Sequence, residues 1–188
     1  MTPLITPRLI LRKFQPDDVA AVHSYAGCAD NIIYMPWGPN TEEITRGKVA
    51  DFIAKAEEVP CKEYHYAVTC KDSGRLIGGC GIGVDGDCAE IGWLLHRDFW
   101  RQGYGTEVGR ALLRFGFAAL GLRRIAAYCD AENIGSYRIM EKIGMRREAL
   151  LLEVRPPHKK SDREYSDELQ YAVLRREWEQ QCNGEALL

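Results

Sequence analysis

Trp100-Arg101-Gln102-Gly103-Tyr104-Gly105-Thr106-Glu107 decides how this chain is read. Upstream lies the strand-like run Ala89-Glu90-Ile91-Gly92-Trp93-Leu94-Leu95. Downstream, Val108, Ala111, Leu112, Phe115 and Ala119 recur at helical spacing over Thr106–Leu120, and Gly121 supplies a stop. Two glycines one residue apart let a backbone turn its N–H groups toward a common point. Those donors, added to the positive end of the helix, form a seat for an anionic group such as pyrophosphate. Arg101 adds charge. The plain alternative is a glycine loop feeding a helix. A dinucleotide fingerprint would need a small residue where Val108 stands, and a strand–helix–strand unit before the turn; the preceding strands are instead joined by hairpins.

Working outward, Arg8–Phe14 reads as a first strand, and Pro16-Asp17-Asp18 opens a short helix. A second helix is predicted from Thr41 to about Glu58, with Ile44, Val49, Phe52 and Ile53 on one side. Tyr64–Cys70, Leu76–Val84 and Ala89–Leu95 form an antiparallel meander, punctuated by Asp72-Ser73-Gly74 and Asp85-Gly86-Asp87. After the central helix come a short strand at Ile125–Cys129, a helix from Asn133 to near Gly144, and strands at Met145–Val154 and Glu168–Leu174. The polar loop Pro156–Ser166 separates the last two. The tail over 176–188 is polar and expected to fray. The fold class is α+β: a mixed, mostly antiparallel sheet flanked by helices, with one crossover giving a parallel pair. All 188 residues are expected to form a single domain.

Composition narrows the function. A net charge of -2 argues against a general polyanion binder, so no nucleic-acid partner is expected. No apolar run approaches the ~20 residues of a membrane helix, and no secretory signal opens the chain. The 7 cysteines are odd in number, irregularly spaced and without a C-x-x-C pair, so neither a metal site nor a disulfide framework is expected. Cys70, Cys80 and Cys129 fall in apolar runs as buried thiols, which points to a reducing cytoplasm. His23, His65, His96 and His158 are scattered and read as surface or satisfied histidines.

Further motifs accompany the turn. Asn133-Ile134-Gly135-Ser136-Tyr137-Arg138-Ile139-Met140-Glu141-Lys142-Ile143-Gly144-Met145 lies one strand later, Glu90-Ile91-Gly92-Trp93 lies upstream, and Thr6-Pro7-Arg8-Leu9-Ile10-Leu11-Arg12 opens the chain. Together with Asp167–Trp178, this set resembles the GNAT superfamily of acetyl-coenzyme A-dependent N-acetyltransferases. It is most similar to the Rim-type branch, which acetylates N-termini of ribosomal proteins. The resemblance spans nearly the whole chain and implies the acyl-coenzyme A N-acyltransferase fold. Two positions depart from it: Trp100 heads the [QR]-x-x-G-x-[GA] pattern, and Met140 replaces a tyrosine that many members use to protonate the departing thiolate.

The resemblance implies transfer of an acetyl group from acetyl-coenzyme A to a primary amine, by direct attack in a ternary complex. The acceptor is a protein N-terminus or a small amine, and the protein a monomer or homodimer. Arg101, Gln102, Gly103, Tyr104, Gly105 and Thr106 would hold the diphosphate. The strand through Trp93, Leu94 and Leu95 would pair with the pantetheine arm, a backbone N–H there facing the thioester carbonyl. Asn133 would bond the same arm while also serving as a helix N-cap. Ser136 is the candidate for the coenzyme A sulfur, with Tyr137 a weaker alternative. Glu90 is the first choice of general base, since a carboxylate in a partly closed cleft has a raised pKa; Glu153 is the second. Trp37, in its proline-flanked loop, is expected to line the acceptor pocket. Acceptor choice falls to the loops at 31–40 and 156–166. Two other readings stand beside this one: a non-catalytic acyl-coenzyme A sensor, with which Met140 is compatible, and a nucleotide-binding module, which the hairpin-connected strands disfavour.

Overall fold

A computed structural model describes residues 1–185. One sheet of eight strands carries the fold: β1 (Leu4–Ile5), β2 (Leu9–Arg12), β3 (Glu63–Cys70), β4 (Leu76–Asp85), β5 (Cys88–Leu95), β6 (Arg124–Asp130), β7 (Arg146–Arg155) and β8 (Ser166–Leu174). Their spatial order is β1-β2-β3-β4-β5-β6-β8-β7. Every neighbouring pair is antiparallel except β5 and β6, the crossover pair expected from the sequence. The helix between those two strands, α3 (Tyr104–Arg114), widens into a π-helical turn at Phe115–Ala119 before the chain returns.

Side chains alternate across a strand, so the sheet presents two different faces. On one, α3 and α4 (Ile134–Lys142) cover the larger core. Ile77, Ile91, Leu112, Leu113, Phe117 and Ile125 are all almost wholly buried there. Each such side chain stabilises the fold by roughly 1.5–3 kcal/mol relative to exposure. On the other face, α1 (Val19–Ala26) and α2 (Glu42–Lys55) lie over a smaller cluster built from Phe14, Val19, Val22, Tyr25 and Val49. Helix α2 starts where Thr41 caps it, its hydroxyl accepting from the Ile44 N–H at 3.2 Å.

The chain differs from the sequence expectations in three places. Leu4–Ile5 adds a short edge strand, and the first full strand pairs only over Leu9–Arg12. The central helix starts two residues earlier than Thr106. The stretch expected to fray instead forms α5 (Arg175–Glu185), while 186–188 lie outside the described residues. Its polar composition hides one anchor: the Trp178 ring packs on Phe117 with centroids 5.3 Å apart. Arg175 Nε donates to the Leu122 carbonyl at 2.8 Å, and Glu177 accepts from the Leu174 N–H at 2.8 Å. Among the described residues, no helix is long and apolar enough to cross a membrane.

Candidate active site

The parallel pairing of β5 and β6 covers only Cys88–Glu90 against Arg124–Ala126. Beyond Glu90 and Ala126 no pairing holds the two strands together, and the sheet opens into a V. Which main-chain groups line that V follows from the ladders on either side. The His96 N–H donates to the Ile77 carbonyl in register with the β4–β5 ladder. Even-numbered β5 residues therefore bond to β4, and the N–H and C=O of Ile91, Trp93 and Leu95 point toward β6. On the far side, Arg175 N donates to Arg123 O, so Ala126 and Tyr128 turn their main chains toward β5. The Leu95 carbonyl is already taken, accepting from the Trp100 indole at 2.8 Å and the Asn31 amide at 3.1 Å. Trp93 is left as the residue whose main chain faces the open V. An extended chain bearing amides can pair there as an added strand does.

At the end of β5 the backbone reverses into α3. Arg101 has φ +59° and Gly103, the N-cap, φ +82°. Alternation of left-handed with right-handed residues curls successive N–H groups into a concavity, and no side chain caps the helix. The first-turn amides, which have no intrahelical acceptor, stay open to an anion. The two glycines do different work. Gly103 supplies the left-handed bend. At Gly105, which is buried, a Cβ would overlap Ile139 of α4, so that glycine lets the two helices approach. Gln102 points back, its amide donating to the Asp98 carbonyl at 2.7 Å. Tyr104 lies under the Arg8 guanidinium, 4.2 Å from the ring centroid. Thr106 is half-buried in the first turn.

The turn is tied to the start of the chain. Glu107 accepts from Thr6 Oγ1 at 2.5 Å, the Arg8 N–H at 2.8 Å and Arg8 Nε at 2.7 Å. Arg8 also donates to the Gln102 carbonyl at 3.0 Å. Burial alone would raise the Glu107 carboxyl, but the bonds from Thr6 and Arg8 outweigh it and hold the pKa below the usual range. The Thr6–Arg8 motif and the glycine turn are thus one unit, joined across 99 residues.

On the α1/α2 face, a cavity of about 1200 Å³ runs over β4 and β5. Its floor is a lane without side chains. Gly79, Gly81 and Gly83 of β4 and Gly92 of β5 share this face by register, and a Cβ at Gly83 or Gly92 would meet nothing within 4 Å. Glu90 stands at the lane's edge, opposite Gly83. Burial by the cavity wall raises its pKa, the Glu168 charge raises it further, and Arg155 opposes both. Tyr128 of β6 also lines the cavity; burial, then Glu90, pushes its hydroxyl up. Trp37 lines the mouth with 41% of its surface exposed. The loop at 156–166 meets the Trp37 loop through Lys159, whose Nζ donates to the carbonyls of Met35 at 2.7 Å and Trp37 at 2.9 Å.

Other candidates fall elsewhere. Asn133 caps α4, its Oδ1 accepting from the Ser136 N–H at 3.1 Å. The Ser136 hydroxyl reaches the Cys129 thiol, which burial pushes up to about 12 against the pull of that bond. Met140 is 1% exposed and belongs to the core, so that position holds an apolar packing side chain rather than a proton donor. Glu153 stands apart from the lane. It is exposed, with φ +56°, where the β7–β8 register slips between Leu151 and Arg155, and it does not line the cavity. It lies on β7, the edge strand beyond β6 and β8, and that strand order is not written in any local sequence pattern. His65, read as a surface or satisfied histidine, is indeed bonded to Glu63 at 3.2 Å, and it also lines the cavity. The glycine lane did leave a sequence signal: Gly79, Gly81 and Gly83 recur with the period of a strand face.

Comparison with known proteins places this geometry. A family model described as "Acetyltransferase (GNAT) domain" matches residues 8–146. The chain is 34% identical over 177 residues to "Uncharacterized N-acetyltransferase YnaD" of Bacillus subtilis (strain 168), covering 93% of this chain and 98% of that one. A crystal structure of a GNAT-family acetyltransferase from Bacillus anthracis superposes with a TM-score of 0.81 at 36% identity, over 93% of this chain and 99% of the other. Spermidine N-acetyltransferase from Vibrio cholerae, solved with CoA and spermine, shares the fold: TM-score 0.76, 18% identity, 90% and 97% covered.

Proposed function

The chain belongs to the GNAT family of acetyl-coenzyme A-dependent N-acetyltransferases, and from that premise we propose how its residues divide the work and which acceptors it takes. The observation that carries the reading is the V between β5 and β6, closed at one end by the uncapped turn at 101–106. An uncapped turn suits a diphosphate and an unpaired strand edge suits the amides of a pantetheine arm, so the residues fit acetyl-coenzyme A. Arg101, Gln102, Gly103, Tyr104, Gly105 and Thr106 would hold the diphosphate, and the Trp93 main chain the arm, flanked by Leu94 and Leu95. When bound, acetyl-coenzyme A supplies the activated acetyl group.

The protein's own contributions are orientation and proton handling. Orientation in a fixed geometry contributes several kcal/mol to lowering the barrier. The Trp93 N–H, aimed into the V, stabilises negative charge developing on a carbonyl oxygen. Glu90, at the edge of the lane with a raised pKa, attracts an ammonium and accepts a proton from the attacking nitrogen, directly or through a water. Ser136, which bonds the Cys129 thiol, is the hydroxyl we assign to the coenzyme A sulfur. The acceptor is a primary amine of a protein N-terminus or a small molecule, entering along the glycine lane past Trp37. Its largely apolar walls, among them Phe14, Tyr25, Ile44 and Phe52, favour an amine on a hydrocarbon or aromatic body.

The test is release of free thiol from acetyl-coenzyme A with a panel of alkyl amines, aryl-alkyl amines and N-terminal peptides. Apolar primary amines are expected to turn over fastest. Tight binding of acetyl-coenzyme A with no thiol release from any amine would favour the sensor instead.

A further inference from the structure

On the wall of the lane opposite Glu90 stands an imidazole held in a defined state. His65 of β3 sits directly across the lane floor: its register partner is Gly81, whose own partner is Gly92. The ring stacks on Phe52 of α2, with centroids 4.3 Å apart and planes 27° from parallel. Nε2 lies 3.2 Å from Glu63 Oε2. Glu63 is held ionised below the usual carboxylate range, first by Lys55 and then by His65 itself. A carboxylate only accepts, so the Nε2 position carries the imidazole hydrogen and Nδ1 is left with a free lone pair. Nδ1 itself sits over the lane floor: a Cβ built on Gly81 would lie 3.2 Å from Nδ1, 3.8 Å from Cε1 and 2.9 Å from the Tyr64 carbonyl oxygen.

The glycines leave the space before Nδ1 clear. Neighbouring strands lie about 4.8 Å apart, so β3 and β5 are separated by roughly 10 Å of side-chain-free floor at this level. On its far side is Gly92, next to Trp93, whose main chain faces the V. We propose that His65 is a proton acceptor for the amine substrate, taking up at Nδ1 the proton an ammonium must lose before it attacks; this rests on the acetyltransferase reading above. The step balances. The proton passes to Nδ1, and the freed nitrogen lone pair forms the N–C bond to the acetyl carbon. The C–S bond breaks, sulfur departs with the second nitrogen proton as a thiol, and the imidazolium returns its proton to solvent. Glu63 stabilises that imidazolium as an orienting carboxylate does in other acid–base sites.

The ionisable groups around the ring are few. Glu63 is on its own strand, Lys55 and Asp51 face it from α2, β4 offers Gly79, Gly81 and Gly83 with Asp85 at its end, and Glu90 stands across the lane; Lys48, Lys62, Arg124 and Tyr128 line the same cavity. Burial and Lys55 lower the imidazole pKa against the pull of Glu63 and Asp51, so the ring stays neutral and able to accept at pH 7. Glu90 and His65 thus face one amine from opposite walls: the imidazole takes the proton the ammonium loses before attack, and the carboxylate attracts the cation and takes up the second nitrogen proton on its way to sulfur.

The experiment uses the full chain with acetyl-coenzyme A and two probes, 2-phenylethylamine and an alanyl tripeptide amide. His65→Gln, with His65→Asn as a second variant, is compared with wild type for kcat/KM between pH 6 and 10. Melting temperature confirms folding, and calorimetry measures acetyl-coenzyme A binding. The expected result is a loss of about 100-fold at pH 7 that shrinks as pH rises toward the pKa of the free amine, where the substrate supplies its own lone pair. Acetyl-coenzyme A affinity should stay within about twofold, and added imidazole should restore part of the rate in His65→Ala. A folded, active variant that matches wild type at every pH overturns the role of His65 and leaves the acetyltransferase reading intact. No thiol release by wild type overturns both.

Discussion

At Gly103 a single backbone angle separates a binding turn from an ordinary loop. With φ +82° and a Cβ that would lie 3.4 Å from the Arg8 guanidinium, the position accepts glycine readily and a β-branched residue poorly. Gly103→Val is expected to cost about 1–3 kcal/mol of strain and to weaken acetyl-coenzyme A at least tenfold by calorimetry. Gly103→Asn, which tolerates the left-handed region, should lose much less. Unchanged affinity in Gly103→Val would mean that the diphosphate sits elsewhere. Glu90 illustrates a charge rather than a shape. Its raised carboxyl must be ionised to accept a proton, so turnover should fall as pH drops through a value above the ordinary carboxylate range. Glu90→Gln should lower kcat by about 100-fold while leaving acetyl-coenzyme A affinity unchanged. A kcat equal to wild type in that variant would remove Glu90 from the chemistry.

Between elements, the informative contact is the one that joins the link between β1 and β2 to α3. Glu107 is 13% exposed at its side chain and gathers Thr6 and Arg8 onto the first turn of the helix. Hydrogen bonds to charged groups contribute about 1.5–3 kcal/mol, and Glu107→Gln is expected to forfeit about 2 kcal/mol of stability. The sign of its pH dependence follows from a depressed folded-state pKa. The stabilisation is complete above the unfolded-state value, near 4.5. It is lost as pH falls through the lower folded-state value. Urea unfolding at pH 7 and pH 3 should therefore separate wild type from Glu107→Gln at the first pH and narrow the gap at the second. A constant difference between the two would rule out the carboxylate as the source. The same scale explains why His65 escaped notice in the sequence. Its surroundings come from Phe52, Glu63 and Gly81 on three elements, and no local spacing joins them.

For the molecule as a whole, the V is the place where the sheet lacks its own cohesion. β5 and β6 pair over three residues and then part, so a ligand that lies between them and caps the turn bridges the two halves of the sheet. Acetyl-coenzyme A at about 100 times its Kd should add roughly 2.7 kcal/mol to the folded state. For a chain of this size that raises Tm by about 5–10 °C. NAD and ATP, which lack the pantetheine arm, should shift it far less. Equal shifts from NAD would favour a nucleotide module and count against the strand-pairing account. Both helical layers are needed for the site, since α3 and α4 place the turn and α1 and α2 roof the lane.

Local order in the chain was enough for most strands and helices, the glycine turn and the parallel crossover, because each depends on residues close in sequence: apolar period, turn chemistry and capping. It was also enough for the family, through motifs whose spacing the fold preserves. Only the tertiary structure decided which carboxylate faces the lane. Glu90 does because it stands on β5 opposite Gly83, and Glu153 does not because β7 is the far edge strand, beyond β6 and β8. Only packing showed that the polar C-terminal stretch is a helix held by Trp178, and that His65 looks across bare glycine toward the V. Side-chain direction across a sheet depends on registers set by distant strands, so the chemistry of the site became readable only once those strands were paired.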